Sequence, residues 1–440
     1  MFRLFDRSLS LNGFPIKKAK IEFLRIVNLS DSAHEQFVDQ QKSKIVAHHL
    51  ANNSFYQKLV PLDWNGTWES LPVLTKQNLQ VPLENRLSAG YARENVFVNK
   101  TSGSSGDPFV FAKDKFCHAM TWASNMHRFG WHGIDFNHSA QARFYGIPLD
   151  FWGYRKERLK DFLSNRYRFS VFDLSDRAME QILRKFQTTK FDYVNGYTSS
   201  IVLFAKFLAT KNIVLKTVCP SLKTCFVTAE MLFANDRMLL ETQFGIPIIN
   251  EYGASELDLI AFENLQGDWL LNAETIFVEI LDDQNQAVPI GTEGRVVITS
   301  LFNKAHPFIR YAIGDIGVLD ERSTLRKPIL KQLLGRTNDF AVLPSGKKAA
   351  GLTFYYITKS IIEDDGNVKE FVIRQVLLDT FEIDYVSQQE LTPGQIGNIE
   401  QAIATYLEPN LRFSFHRKKL LLRSKRGKLK QFESMVKPEN

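Results

Sequence analysis

Leu222-Lys223-Thr224-Cys225-Phe226-Val227-Thr228-Ala229-Glu230 and Ile246-Pro247-Ile248-Ile249-Asn250-Glu251-Tyr252-Gly253 are two short apolar runs that end in small or polar residues. Both read as strands, and the residues after Glu230 read as a helix through Leu240. Strand, helix, strand in succession argues for an α/β sheet. The same reading extends outward. Phe191-Asp192-Tyr193-Val194-Asn195-Gly196-Tyr197 is a strand ending in a turn, with a helix after it over residues 201–208 and another before it over 176–186. The charge run Arg155-Lys156-Glu157-Arg158-Leu159-Lys160-Asp161 reads as a solvated helix face. Phe116, Met120, Trp122-Ala123 and Met126 predict a helix over 115–130, and residues 16–60 read as helical. Leu71-Pro72-Val73-Leu74-Thr75-Lys76 reads as a turn into a short helix with Thr75 at its N-cap.

Between these parts stands Lys100-Thr101-Ser102-Gly103-Ser104-Ser105-Gly106-Asp107-Pro108, flanked by the β-like runs 94–99 and 109–111. Glycines let backbone approach a ligand, successive N–H groups can form a concave anion site, and Ser and Thr add donors. No Gly-Lys-Ser/Thr follows the second glycine, so this is not a Walker A loop. By itself the loop is either a phosphate cradle or a plain hairpin turn.

Downstream, residues 269–325 are strand-rich, with Phe277-Val278-Glu279-Ile280-Leu281 and Gly294-Arg295-Val296-Val297-Ile298-Thr299 separated by turn signals. Gly335 marks a change. The spacing predicts a helix over 354–362, strands over 371–378 and 381–386, a helix over 392–406 with Thr392 as N-cap and Pro393 in its first turn, and a strand over 411–415. The expected organisation is α/β: a large multi-sheet N-terminal domain over 1–334 and a small, mobile α+β C-terminal domain over 335–440.

Composition excludes several classes. Of 440 residues, 44% are hydrophobic and 23% charged, as in ordinary globular proteins. The net charge of +7 favours an anionic ligand without selecting one. Cys117, Cys219 and Cys225 form no Cys-x-x-Cys pair, which argues against a disulfide framework and for a reducing compartment. There is no apolar run long enough for a membrane span and no signal-peptide pattern, so the expected location is cytoplasmic.

Several segments, in order, resemble the adenylate-forming superfamily of acyl-CoA synthetases and adenylation domains. Within it the likeness is to the phenylacetate–CoA ligase-like branch, including proteins encoded with capsular polysaccharide genes. Thr101 to Gly106 resembles the Ser/Thr/Gly-rich phosphate loop, and Thr228-Ala229-Glu230 the segment lining the adenine pocket. Tyr252-Gly253-Ala254-Ser255-Glu256 resembles the Tyr-Gly-x-Thr-Glu motif, with Ser255 in place of threonine. Arg310-Tyr311 with Gly314-Asp315 resembles the ribose-binding segment. Gly335-Arg336-Thr337-Asn338-Asp339 resembles the interdomain hinge, and Arg423-Ser424-Lys425-Arg426-Gly427-Lys428 the segment with the adenylation lysine. Asn53-Ser54-Phe55-Tyr56 and the Leu71–Lys76 segment agree with the branch's N-terminal pattern. The resemblance covers about residues 40–432.

The resemblance implies an ATP- and Mg²⁺-dependent carboxylic acid ligase that forms an acyl- or aryl-adenylate and releases pyrophosphate. Coenzyme A is the implied acceptor; an amine or hydroxyl acceptor, as in surface polysaccharide biosynthesis, is the alternative. Thr101, Ser102, Gly103, Ser104, Ser105 and Gly106 would hold the β- and γ-phosphates. Ala229, Glu230, Tyr252, Gly253 and Ser255 would hold the nucleotide, Asp315 and Arg336 the ribose, and Glu256 the Mg²⁺. Lys428 would bridge carboxylate and α-phosphate as a compact charge. Tyr145, with Gly146 beside it, and Gly196, Tyr197 and Ala254 would line the acid pocket. A swing about 335–339, with Asn338 or Asp339 as pivot, would bring Lys428 in and out.

Each residue also has a plainer reading: Glu256 as a surface acid, Asp315 as a turn residue, Tyr145 and Tyr197 as core. Lys428 lies among Arg417, Lys418, Lys419, Arg423, Lys425, Arg426 and Lys430, a cluster that also fits a solvated face or a nucleic-acid-binding protein. No aromatic-studded basic β motif accompanies it, so no nucleic-acid partner is expected. Residues 257–272 hold no Cys or His, so the zinc site found in some members of the branch is not expected here. Trp269-Leu270-Leu271-Asn272 stands where a histidine is often seen, which points to a different pocket.

Overall fold

The computed structural model describes residues 4–101, 109–146, 151–336, 340–346, 348–350, 368–406, 408–423 and 429–436. The expected helix over 354–362 lies outside them. The chain divides into two compact units, one of residues 1–313, 318–331 and 425–427, the other of 314–317, 332–424 and 428–440.

In the first unit, α1 (Leu4–Leu11), α2 (Ile16–Val27), α3 (Asp31–Asn52) and α4 (Ser54–Leu59) form the N-terminal helical part. Caps explain the breaks between them: the Ser30 hydroxyl accepts from Ala33 N–H and the Asn53 side chain from Tyr56 N–H. Residues 76–79 form a turn and not the helix expected there. The Thr75 hydroxyl donates to Asn78 Oδ1 at 2.8 Å, so it does not serve as a helix cap.

The hairpin β1 (Phe97–Lys100) and β2 (Val110–Lys113) is antiparallel and flanks the Gly/Ser loop. It leads into α5 (Lys115–Trp131), whose N-cap Asp114 accepts from Phe116 and Cys117 N–H. The central sheet comprises β3 (Gln141–Phe144), β4 (Arg166–Phe169), β5 (Tyr193–Tyr197), β6 (Thr224–Thr228), β7 (Ile248–Ala254), β8 (Asp258–Glu263) and β9 (Trp269–Leu271). Its order is β4-β3-β5-β6-β7-β8-β9, parallel through β7 and antiparallel beyond it. The intervening helices are α6 (Phe151–Leu163), α7 (Asp176–Thr188), α8 (Thr198–Thr210), α9 (Leu215–Val218) and α10 (Ala234–Phe244). The alternation in the sequence therefore does produce a parallel sheet, although α10 begins four residues after Glu230.

One face of this sheet packs Ala142, Phe144, Val194, Cys225, Val227 and Ile248 against Met179, Phe186, Phe204 and Leu240 of the helices. The other packs Tyr193, Phe226, Ile249 and Phe262 against Phe129 of α5. With both faces covered, the parallel strands are apolar runs with little alternation. The charge run on α6 is not wholly solvated: Asp161 is buried and accepts from Arg166 and Arg168 of β4 at 2.7 and 3.0 Å. All three cysteines are buried and free.

A second sheet runs β10 (Ile276–Leu281), β11 (Glu293–Ser300), β12 (Tyr311–Leu319), β13 (Leu330–Arg336) in that order. In the second unit, β14 (Phe340–Val342) pairs with β15 (Lys348–Ala350). Beyond them, β16 (Val368–Leu377), β17 (Thr380–Ser387), β18 (Arg412–Arg417) and β19 (Phe432–Ser434) form a sheet ordered β18-β17-β16-β19. The helix α11 (Pro393–Tyr406) opens as expected: Gln395 N–H donates to the Thr392 hydroxyl, and the Thr392 N–H donates to the Gln395 side chain. None of the described helices is long and apolar enough to cross a membrane.

Candidate functional site

β3 steps to β4 on one side, whereas β5, β6 and β7 step away on the other, so the winding reverses between β3 and β5. In open parallel sheets the crevice at the carboxyl ends beside such a reversal is where ligands bind. Tyr145 follows β3 and Tyr197 ends β5, with ring centroids 4.4 Å apart. Gly196 is required there, because a Cβ would lie 2.5 Å from both Cβ and O of Phe144. The Arg143 guanidinium lies 4.1 Å from the Tyr145 ring. Burial pushes the Tyr145 hydroxyl well above its ordinary pKa.

β6 ends in the same edge. Ala229 adopts φ +69°, a left-handed conformation rare for a residue with a side chain. The carboxylate of Glu230 accepts from the Ser199 N–H at 2.7 Å and its carbonyl from the Thr198 hydroxyl at 3.1 Å. Glu230 thus occupies the first turn of α8, where free N–H groups favour an anion.

β7 carries Tyr252, Gly253 and Ala254 into a tight turn made by Ser255, Glu256 and Leu257 before β8. A Cβ on Gly253 would stand 2.7 Å from the Asp258 carbonyl oxygen. Asp258 closes the turn at φ +61°, accepts from the Thr121 hydroxyl at 2.6 Å, and pairs with the Lys113 ammonium of β2. Lys113 is buried, and desolvation brings its pKa down to about 8 against the pull of the Cys117 and Glu256 charges. The return strand of the Gly/Ser loop is therefore tied to the Tyr-Gly turn. The Tyr252 ring lies 6.0 Å from Trp269, the residue that departs from the resembling pattern.

Glu256 is only 7% exposed and accepts from the Tyr311 hydroxyl at 3.2 Å, so two motif segments far apart in sequence meet. Next to Tyr311, Arg310 has a structural role. Its guanidinium donates to the carbonyls of Glu69, Leu71 and Asn285 and pairs with Glu279 at 3.3 Å. Leu74 N–H donates to the Arg310 carbonyl and Ala312 N–H to the Leu74 carbonyl. The Leu71–Leu74 segment is thus a brace for the strand that presents Tyr311.

At the base of the Gly/Ser loop, Thr101 N–H donates to the Phe109 carbonyl and Phe109 N–H to the Thr101 hydroxyl. Ser102, Gly103, Ser104, Ser105, Gly106 and Lys428 lie outside the described residues, as do hinge residues 337–339 and the side chain of Arg336. In the second unit, Asp315 is buried on β12 after Gly314, whose φ is +88°. Arg423, immediately before the undescribed lysine segment, donates to Glu370 at 2.6 Å.

Two functional-site candidates escaped the sequence reading. Arg143 stands on β3, two residues before Tyr145, and Glu251 on β7, where its carboxylate accepts from the Thr228 hydroxyl at 3.0 Å. Burial raises the Glu251 carboxyl above its ordinary pKa, opposed by the Thr228 bond and the Arg143 charge. The available signal was a charge inside each apolar strand.

No family profile matches the chain. Protein CapK of Staphylococcus aureus is 22% identical over 330 residues, covering 72% of this chain and 69% of CapK. A crystal structure of 2-hydroxyisobutyryl-CoA ligase in the postadenylation state, in complex with R3-HIB-AMP, superposes with a TM-score of 0.70. Identity is 15%, over 94% of this chain and 91% of that one. The anthranilate CoA ligase AuaEII in complex with anthranoyl-AMP gives a TM-score of 0.56 and 16% identity over 78% and 67% of the two chains. The fold of this chain is that of the adenylate-forming enzymes.

Proposed function

We propose that the chain activates a carboxylic acid with ATP, forming an acyl- or aryl-adenylate and releasing pyrophosphate, and then passes the acyl group to coenzyme A. The observation that carries this reading is the convergence at the carboxyl edge of the central sheet. Tyr145 and Tyr197 flank the winding reversal there, and the β7–β8 turn holds Glu256 against Tyr311.

In this reading the two tyrosines wall the acid, and the Ala229–Glu230 and Tyr252–Ser255 segments flank the nucleotide. Thr101 and the residues after it would supply N–H and hydroxyl donors that offset charge on the departing pyrophosphate. Asp315 would accept from the ribose hydroxyls and Arg336 would donate to them. Glu256 fits a Mg²⁺ ion: one carboxylate oxygen takes the Tyr311 hydroxyl, and Mg²⁺ is commonly held by one carboxylate together with substrate phosphates and waters. Bound Mg²⁺ would neutralise phosphate charge. Lys428 supplies a cation between the carboxylate and the α-phosphate, and residues 335–339 act as the hinge.

The two halves of the reaction can be separated. Lys428→Ala is expected to lose adenylation yet keep acyl transfer from a supplied adenylate; equal loss of both removes Lys428 from this role. Mass spectrometry of products with coenzyme A present, or replaced by amines and alcohols, identifies the acceptor. An amine or hydroxyl acceptor is the second reading, supported by the CapK relative together with the resemblance to proteins encoded with capsular polysaccharide genes.

A further inference from the structure

Beneath the strand ends lies a row of polar side chains. Arg143 stands opposite Asn195, while Tyr197, Thr228 and Glu251 stand opposite one another across β5, β6 and β7. Residues two apart on a strand share a face, so these positions lie on one side of the sheet and next to the Tyr145–Tyr197 wall. The alternate positions Ala142, Val194, Cys225 and Val227 lie in the apolar core, which Tyr197 joins and against which Tyr145 packs at the strand ends.

The two charged members of the row are not paired. β5 and β6 run between their strands, so their backbones are about three strand spacings, ~14 Å, apart. Among the described residues Arg143 Nε is buried with no hydrogen-bond partner. Glu251 has the Thr228 hydroxyl, and Arg143 acts on it through its charge only. Both residues are partly buried, and groups of opposite charge that are partly desolvated and left apart contribute little to a fold. Arg143 engages the Tyr145 side chain, and its Nε stays unpartnered; Glu251 has one carboxylate oxygen taken by Thr228, so part of the bonding capacity of both groups is unused.

A hydrocarbon acid would cover these groups and leave them unsatisfied, which is costly. A second carboxylate would be drawn to Arg143 and repelled by Glu251, and an ammonium group the reverse. A hydroxyl both donates and accepts, so it can donate to Glu251 and accept from Arg143, while Thr228, whose proton goes to Glu251, can take a hydrogen bond only as an acceptor. We infer that the acid activated at this site is a hydroxylated carboxylic acid, whose hydroxyl groups lie against Arg143, Thr228 and Glu251. The inference rests on the adenylation reading above and adds a substrate class to it.

The test is acid-dependent ATP–pyrophosphate exchange by the full-length protein. The acids are offered in pairs: each hydroxy acid with the analogue of the same skeleton that carries hydrogen in place of hydroxyl, together with a dicarboxylic acid and an amino acid. The wild-type protein is expected to favour at least one hydroxy acid over its deoxy partner by on the order of 10²-fold in kcat/KM, because sites that bond a hydroxyl discriminate strongly against its loss. Glu251→Gln and Arg143→Met are each expected to bring that ratio below about tenfold. Preference for a deoxy, dicarboxylic or amino acid in the wild-type protein overturns the inference, as does an unchanged ratio in both variants. Exchange with no acid at all overturns the adenylation reading itself, a different result from exchange with the wrong acids. The wild-type preference decides the matter even if a variant folds poorly.

Discussion

Two acid–base arrangements border the same edge of the central sheet and are built in opposite ways. Lys113 and Asp258 form a closed pair, with the Thr121 hydroxyl completing the carboxylate. Arg143 and Glu251 are held apart on strands separated by two others. The first arrangement satisfies itself, so it holds structure: it ties the strand after the Gly/Ser loop to the turn carrying Glu256. The second leaves capacity unused, so it is suited to a ligand. Charge and burial alone do not separate the two; partner geometry does.

The largest expected effect breaks the closed pair. Asp258→Asn suits the left-handed backbone yet removes the carboxylate that pairs with the buried Lys113 ammonium. It is expected to cost about 3–5 kcal/mol in urea unfolding, and Lys113→Met less, because Asp258 keeps Thr121 and partial exposure. If both substitutions cost under about 1 kcal/mol, the pair does not hold the turn. Gly196→Ala comes next, since its Cβ would overlap Phe144 and splay Tyr145 from Tyr197. A loss of about 1–3 kcal/mol in stability is expected, with a raised KM for the acid. Tyr311→Phe removes one bond to Glu256 and is expected to cost about 1 kcal/mol and to shift the Mg²⁺ dependence of activity to higher concentration.

The smallest effect concerns the open pair and pH. Folding raises the Glu251 pKa, so between the unfolded-state pKa and the folded-state pKa the native chain holds the extra proton. Stability from this group is therefore greatest at low pH and falls as pH rises through that window. Glu251→Gln, which keeps the size and cannot ionise, should gain stability relative to wild type as pH increases from 4.5 toward 8. A constant difference across that range would show that Glu251 is not desolvated.

Most of the first unit's framework was legible because parallel strands covered on both faces must be apolar runs, and those at 193–197, 224–228 and 248–254 stand out between turn residues. Capping was legible where it is local, as at Thr392 and Gln395. It misled at Thr75, where a side chain three residues on competes for the same hydroxyl. Asp161 looked solvated because its partners, Arg166 and Arg168, reach it from the next strand. The strand-end candidates Tyr145, Tyr197 and Glu256 were readable from motif order. Tyr311 was also readable from its motif, but its bond to Glu256 was not. That bond, like the roles of Arg143, Glu251 and Lys113, depends on how the strands bring together residues far apart in the chain. A charge inside an apolar strand was the one local signal for Arg143 and Glu251.

The most direct measurement of the central claim is ATP–pyrophosphate exchange across a broad acid panel, comparing the wild-type protein with Glu256→Gln. The account predicts exchange that requires a cognate acid and Mg²⁺ and falls at least about tenfold in the variant, through loss of a charged ligand to the ion. Absence of exchange with every acid, or exchange that persists unchanged without Glu256, would contradict it.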